Sequence, residues 1–125
     1  MQDLPNVIAT YISAYNEKNV DSMLDCLADT VHFQNISDGA VTAEATGKAE
    51  FAEMAKFGAA AFRSRQQTVT NAITVGDITL VEIDYRAVVA KNLPNGWEEG
   101  QTLSFSGASA FRVEDGKIVS IVDQS

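Results

Sequence analysis

The chain has 125 residues, of which 46% are hydrophobic and 21% are charged, and this fits a single domain, residues 1–125, with one core. Its 17 acidic residues outnumber its 9 basic ones, and the resulting net charge of −8 argues against nucleic acid or an anionic membrane as a partner. No apolar run approaches the roughly 20 residues of a membrane span, and the first residues lack the pattern of a signal peptide, so a cytoplasmic protein is expected.

The number of cysteines and a search for short motifs limit the kinds of site that the chain can contain. The single cysteine, Cys26, excludes an internal disulfide and offers no metal cluster, and its apolar helical context predicts a buried, inert thiol. The sequence contains no cluster of metal ligands, no phosphate-binding loop and no nucleophile–histidine pair. We therefore expect neither a metal nor a cofactor.

Two helices are predicted near the start of the chain. Asp3 is expected to cap the first, with Pro5 in its opening turn and an apolar stripe between Val7 and Tyr15. Asn19 begins a short second helix. The brief link between them predicts an antiparallel helical hairpin.

Alternating apolar and polar residues predict the strands. A short strand is expected over Thr30–Gln34, a turn over Asn35–Gly39, and an edge strand or an irregular loop over Ala40–Thr46. Thr46 should cap a third helix that reaches Phe62. The long strands then expected are Gln66–Val75, Thr79–Lys91, Thr102–Val113 and Lys117–Asp123. This order predicts an α+β domain with its helices on one face of a curved sheet.

The last two strands carry the feature most relevant to function. Glu114-Asp115-Gly116-Lys117 has the composition of a tight turn, since glycine adopts positive φ readily. On either side of it, Ser109 and Asp123 place polar atoms on otherwise apolar strand faces. The hairpin is therefore predicted to form the floor of a pocket.

Three segments together resemble the nuclear transport factor 2-like superfamily, and in particular its SnoaL-like or ketosteroid-isomerase-like proteins. The segments are TYISAYNEKNVDSMLDCLADTVHFQN at the start, TGKAEF at the third helix and FRVEDGKIVSIVDQS at the end. The resemblance implies a cone-shaped domain, with three N-terminal helices packed on a strongly curved antiparallel sheet that encloses a pocket. It also implies homodimers formed through the outer sheet face. The superfamily includes isomerases, cyclases, dehydratases, hydrolases and members without catalysis, so the residues must decide the activity.

The chain departs from the ketosteroid isomerases at the residues that their reaction needs. That reaction requires a carboxylate base, together with a tyrosine and a protonated acid that donate to the oxyanion. The resemblance places Tyr11 at the tyrosine, but Gln34 at the base and Ser109 at the acid. Because an amide cannot accept a proton near neutral pH, no ketosteroid isomerase activity is expected.

His32 and Asp123 are the two candidates for proton transfer. His32 shares strand parity with Gln34 and acts as a general base if both side chains enter the pocket; otherwise it is a solvated histidine at a strand edge. Asp123 lies near the acidic residue that some SnoaL-like cyclases carry on the last strand. It is either a base whose pKa an apolar pocket raises or an exposed carboxylate at the rim.

Other polar side chains have two interpretations each. Glu82, Asp84 and Arg86 alternate along one strand, which favours a solvated or dimer-facing surface over a catalytic pair. Arg63 and Arg65 follow the third helix, where cations complement the helix dipole or bind an anion at a pocket mouth. Trp97 lies in the loop Asn92–Gly100 and either covers the pocket or packs at an interface.

The sequence thus predicts a SnoaL-like protein that binds a small hydrophobic or amphipathic molecule. The activity expected is of isomerase, cyclase or dehydratase type, with His32 or Asp123 transferring a proton. The alternative is a non-catalytic module for ligand binding or dimerisation. The predicted ligand-binding residues are Tyr11, Tyr15, Gln34, Tyr85, Trp97, Ser109 and Phe111.

Overall fold

A computed structural model describes residues 4–125, so the predicted cap at Asp3 lies outside the described residues. The helices are α1 (Asn6–Asn16), α2 (Val20–Asp25) and α3 (Lys48–Ala61). The strands are β1 (Leu27–Ser37), β2 (Ala40–Thr46), β3 (Phe62–Val75), β4 (Ile78–Val89), β5 (Thr102–Glu114) and β6 (Lys117–Gln124). The prediction of an α+β domain is confirmed. None of the helices within residues 4–125 is long and apolar enough to cross a membrane.

The six strands form one curved, unclosed sheet in the order β2-β1-β6-β5-β4-β3. Neighbouring strands are antiparallel except β1 and β6, which run parallel. The expectation of a purely antiparallel sheet is therefore corrected. The parallel pair joins a strand near the start of the chain to the last strand. Local sequence patterns do not reveal a pairing between such distant segments. The third helix is also not strictly N-terminal, because β1 and β2 precede it.

Tight turns begin two of the hairpins, and a bulge in each then shifts the register by one residue. Asp115 and Gly116 have φ of 52° and 76°, and Asp38 and Gly39 have the same pair of values. Two consecutive residues with positive φ match the turn whose twist suits a two-residue hairpin. The predicted turn at Asp115-Gly116 is thus confirmed, and the loop expected over residues 35–39 shrinks to its last two residues.

Helix boundaries differ from the predictions at both ends of α3. Gly47, with φ of 87°, precedes its first turn, and Thr46 ends β2 instead of capping the helix with its side chain. Glu50 reaches back to accept a hydrogen bond from the Thr46 backbone nitrogen at 2.9 Å. The helix ends at Ala61, so Phe62 already belongs to β3.

The core lies between the helices and one face of the sheet, here called the inner face. Ile8 of α1, Phe51 of α3 and Phe111 of β5 are 0–2% exposed and meet there. A second cluster of buried side chains, centred on Tyr85 and Val89, packs against Phe62 and Trp97. The opposite sheet face, here called the outer face, carries Glu82, Asp84 and Arg86 in exposed positions, as predicted.

Candidate functional site

A carboxyl group lies on the inner face near the end of β6. Asp123 is half-buried, and the Ser109 hydroxyl donates a hydrogen bond to its Oδ1 at 2.6 Å. The two residues face each other because the β5–β6 register pairs them directly. Burial raises the pKa of Asp123 from 3.8 to about 6, and the Ser109 hydrogen bond only partly opposes this rise. The carboxyl thus titrates close to neutral pH.

Tyr11 of α1 is buried among aromatic rings and is near enough to Asp123 to interact with its charge. Its side chain is 4% exposed and packs edge-on against Phe111, with 5.9 Å between ring centroids. Phe51 lies 6.4 Å away on another side, and Phe33 packs against Phe51 at 5.7 Å. Burial raises the pKa of the Tyr11 hydroxyl well above its usual range, and the negative charge of Asp123 raises it further. The hydroxyl therefore stays protonated and can donate a hydrogen bond.

A second polar pair lies one turn further along α1. The hydroxyls of Tyr15 and Tyr85 are 3.0 Å apart, and burial raises the pKa of both. The Tyr85 ring stacks on Phe105 at 4.9 Å. Phe62 connects this pair to Trp97, since its ring lies 6.4 Å from Tyr85 and 6.2 Å from Trp97. Trp97 thus covers this end of the inner face.

His32 and Gln34 lie elsewhere, which corrects the expectation that they enter a pocket. Their neighbours Val31 and Phe33 occupy the core, so the alternation of the strand directs His32 and Gln34 to the outer face. There His32 Nε2 lies 2.7 Å from Glu44 Oε2, and Gln34 Nε2 donates to the same oxygen at 3.1 Å. His32 and Asp123 therefore lie on opposite faces of the sheet.

Two polar residues of β3 were missed as interior groups by sequence reasoning. Arg65 is 5% exposed and faces the helices, whereas it was expected to follow α3 and either complement the helix dipole or bind an anion. Gln67 lies two residues further on the same face, and its buried Oε1 has no hydrogen-bond partner within residues 4–125. Arg65 was missed because β3 was predicted to begin only at Gln66, and Gln67 was not considered as an interior group although it lay in that predicted strand. Extending the alternation of Gln67 and Val69 back by two residues would have placed Arg65 on the inner face, and a bulge between Phe62 and Ser64 interrupts that alternation.

Neither of two surface concavities formed by residues 4–125 is lined by Tyr11 or Asp123. One, of about 380 Å³, lies on the outer face between β3 and β6, with Leu80, Ala110 and Val122 in its wall. The other, of about 560 Å³, lies between α1 and β3 and contains Ile12 and Gln67. The second concavity lies between a helix and the sheet, but neither of the two contains the predicted pocket residues Tyr11 and Asp123. Within residues 4–125, no group of three or more histidine, cysteine, aspartate or glutamate side chains could hold a metal ion.

Comparisons with known proteins place this arrangement in a family. A protein with a ketosteroid isomerase-like fold from Catenulispora acidiphila, in complex with trimethylamine, superposes with a TM-score of 0.79 and 19% identity over 97% of this chain and 85% of that one. A proposed polyketide cyclase from Xanthomonas campestris pv. campestris gives 0.77 and 24%, over 96% and 87%. An LEH-like epoxide hydrolase of M. tuberculosis gives 0.77 and 15%, over 96% and 80%.

These TM-scores establish a shared fold. No curated protein is significantly similar to the chain in sequence. The family model of the SnoaL-like domain matches residues 8–121, which span nearly the whole chain and include α1, Ser109 and most of β6. The predicted membership is confirmed: the chain belongs to the SnoaL-like domain family, within the nuclear transport factor 2-like fold.

Proposed function

We propose that the chain binds a small, largely apolar molecule between its helices and the inner face of a cone-shaped sheet, and that Asp123 transfers a proton to or from it. The observation that carries this proposal is the half-buried Asp123 carboxyl, whose pKa burial raises to about 6 and whose Oδ1 accepts a hydrogen bond from the Ser109 hydroxyl at 2.6 Å. A proton-transferring group is most effective when its pKa lies near the working pH. His32 is left out because it lies on the other face of the sheet.

The chemistry favoured is proton abstraction next to a carbonyl group. Asp123, ionised above pH 6, accepts the proton, and the electron pair of the broken C–H bond moves to the carbonyl oxygen. The protonated Tyr11 hydroxyl donates to the oxyanion that forms, while Ser109 holds the carboxylate through its 2.6 Å hydrogen bond. The resulting enolate is an intermediate common to isomerisation, aldol cyclisation and dehydration. The substrate class is therefore a small apolar ketone or a related carbonyl compound.

Exchange of a carbonyl compound's α-protons with deuterium measures this step without knowledge of the natural substrate. We expect the protein to accelerate deuterium uptake by 2-tetralone in D₂O near neutral pH, as followed by proton NMR. Asp123→Asn should lower the acceleration by about 100-fold or more, because general base catalysis typically contributes that much. Exchange no faster than in buffer would contradict the proposal.

Ketosteroid isomerase chemistry is not proposed. The interior positions of β1 beside Gln34 are Phe33 and Asn35, and neither side chain carries a carboxylate. We expect no turnover of a Δ5-ketosteroid. Measurable turnover would mean that Asp123, from the last strand, can replace the missing base.

Non-catalytic binding is the second candidate function. The close packing of Tyr11, Phe51 and Phe111 counts against the two candidates equally, because a substrate or a bound ligand has to displace these rings or slide between them. A ligand that binds without any Asp123-dependent exchange would support this reading over catalysis.

A homodimer through the outer face is proposed as the assembly. Ile73, Val75 and Leu80 are 55%, 71% and 51% exposed on that face, beside the concavity of about 380 Å³. Exposed apolar patches of this kind commonly mark protein interfaces. The exposed row of Glu82, Asp84 and Arg86 adds charges of both signs, which a two-fold axis can bring into opposition. A second copy of the chain is therefore the partner we expect.

A further inference from the structure

Arg65 is a buried cation that the proposed chemistry does not use. It lies on β3 opposite Ala87 of β4, and both residues are at most 5% exposed. Its side chain therefore extends from the inner face toward the helices. Removing a guanidinium from water costs several kcal/mol unless a partner compensates its charge.

The polar contacts of Arg65 involve two of its three guanidinium nitrogens, Nε and Nη2. Nε donates to the Tyr15 carbonyl oxygen at 2.8 Å, and the central carbon lies 3.7 Å from the centroid of the Tyr15 ring. Tyr15 belongs to the last turn of α1, where the carbonyl groups carry partial negative charge. Nη2 lies 3.8 Å from Met23 Sδ, which is a weak acceptor.

The third nitrogen, Nη1, has no hydrogen-bond acceptor within residues 4–125. Within residues 4–125, none of the ion pairs includes Arg65, and no hydrogen bond involves Nη1. Gly58 of α3 lies next to this atom, and a Cβ at that position would be 3.5 Å from Nη1. Glycine thus leaves free the space where another residue would place its side chain. A carboxylate approaching here meets a cation that is already oriented.

We infer that Arg65 binds the carboxylate of the ligand, so that the ligand class is a small apolar carboxylic acid. This inference rests on the proposed function, because it names the second polar group of the same molecule. The Tyr11 hydroxyl interacts with both charged groups. The charge of Asp123 raises the pKa of this hydroxyl, and the charge of Arg65 lowers it. A molecule held at Arg65 has its apolar body beside Tyr15, whose ring centroid lies 3.7 Å from the central carbon of the guanidinium.

Two probes of similar shape distinguish the contribution of the carboxylate to binding from that of the apolar body. We expect 2-naphthoate to bind at least about tenfold more tightly than neutral 2-naphthamide at pH 8 and constant ionic strength, since charge-assisted hydrogen bonds are the strong ones. Dissociation constants would come from NMR titration of ¹⁵N-labelled protein, and 2-naphthoate should shift the Arg65 Nε–H signal. Arg65→Gln should abolish the preference.

Matched variants guard against a loss of folding and against long-range charge effects. Arg63→Gln removes the same charge from an exposed position two residues away and should keep the preference. Gly58→Ala leaves Arg65 in place but puts a methyl group beside Nη1; it should reduce the preference without unfolding the helix, because alanine favours helices more than glycine does.

The outcomes separate the two proposals. Equal affinity for the two probes in the unchanged protein would overturn the role of Arg65 and leave the proposed function standing. Failure of both probes to bind would count against the proposed function itself. Displacement of 2-naphthoate by acetate at equal concentration would reveal an adventitious ion site only, and would also overturn the inference.

Discussion

Asp123→Asn replaces the half-buried carboxyl by a neutral amide of nearly the same shape, and its effect on stability depends on pH. The pKa of Asp123 is 3.8 ordinarily and about 6 in the folded chain. Because the folded value is the higher one, the carboxyl contributes stability that is fully present below pH 3.8 and is lost as the pH rises through about 6. The folded state at pH 8 must hold a buried negative charge that the unfolded state exposes to water.

The magnitude follows from the difference between the two pKa values. A shift of about two units, at about 1.4 kcal/mol per unit, amounts to roughly 3 kcal/mol between the limits of low and high pH. Asparagine does not ionise, so the variant avoids this loss. Relative to the unchanged protein, Asp123→Asn should therefore gain roughly 2–3 kcal/mol in free energy of unfolding between pH 4 and pH 8.

Urea unfolding at pH 4, 6 and 8, followed by circular dichroism at one protein concentration, measures this difference. Asp84→Asn serves as the control, because it removes a carboxylate that is exposed on the outer face. The quantity to compare is the difference in free energy of unfolding between Asp123→Asn and the unchanged protein, measured at each pH. Any pH-independent effect of the altered Ser109 hydrogen bond cancels when these differences are compared. A difference that stays constant within about 0.5 kcal/mol from pH 4 to pH 8 would refute the burial argument.

Three further predictions test the surroundings of the site. Ser109→Ala should raise the pKa of Asp123 further, because it removes the hydrogen bond that lowers it; carboxyl ¹³C NMR titration measures this, and an unchanged pKa would contradict it. His32→Ala should leave any Asp123-dependent proton exchange within about twofold of the original rate, since His32 lies on the outer face, and a loss approaching that of Asp123→Asn would restore His32 as a candidate. Leu80→Glu should convert a dimer into monomers in light scattering, whereas Phe57→Glu, at an equally exposed apolar position on α3, should not; a dimer that survives Leu80→Glu would place the interface elsewhere.

Local patterns predicted the parts of the site that one hairpin determines. Composition predicted the turn at Asp115-Gly116, and alternation predicted the polar atoms of Ser109 and Asp123 on apolar strand faces; the bulge between Arg112 and Val113, which shifts the register so that the two residues are opposite each other, was not predicted. Helical spacing likewise placed Tyr11 and Tyr15 one turn apart on the buried side of α1. In both cases the residues involved are close in the chain and follow a single period.

The errors concern residues whose environment depends on distant segments. His32 alternates with Val31 and Phe33, but only the helices covering one face decide which of the two sets becomes buried. Arg65 was expected to follow α3 and either complement its dipole or bind an anion, because β3 was predicted to begin only at Gln66. Ending the helix at Ala61 turned the next residues into a strand and directed the guanidinium inward.

The sequence by itself therefore determined the α+β class, the family and the positions of Ser109 and Asp123 as polar groups on apolar strand faces, because turn chemistry and periodicity act over a few residues. Only the tertiary structure decided that β1 pairs in parallel with β6, that His32 lies outside, and that Arg65 is buried without a carboxylate partner within residues 4–125. Burial depends on which elements cover a face, and the elements that cover Asp123 and Arg65 come from the other end of the chain. The pKa of Asp123 is a property of that packing.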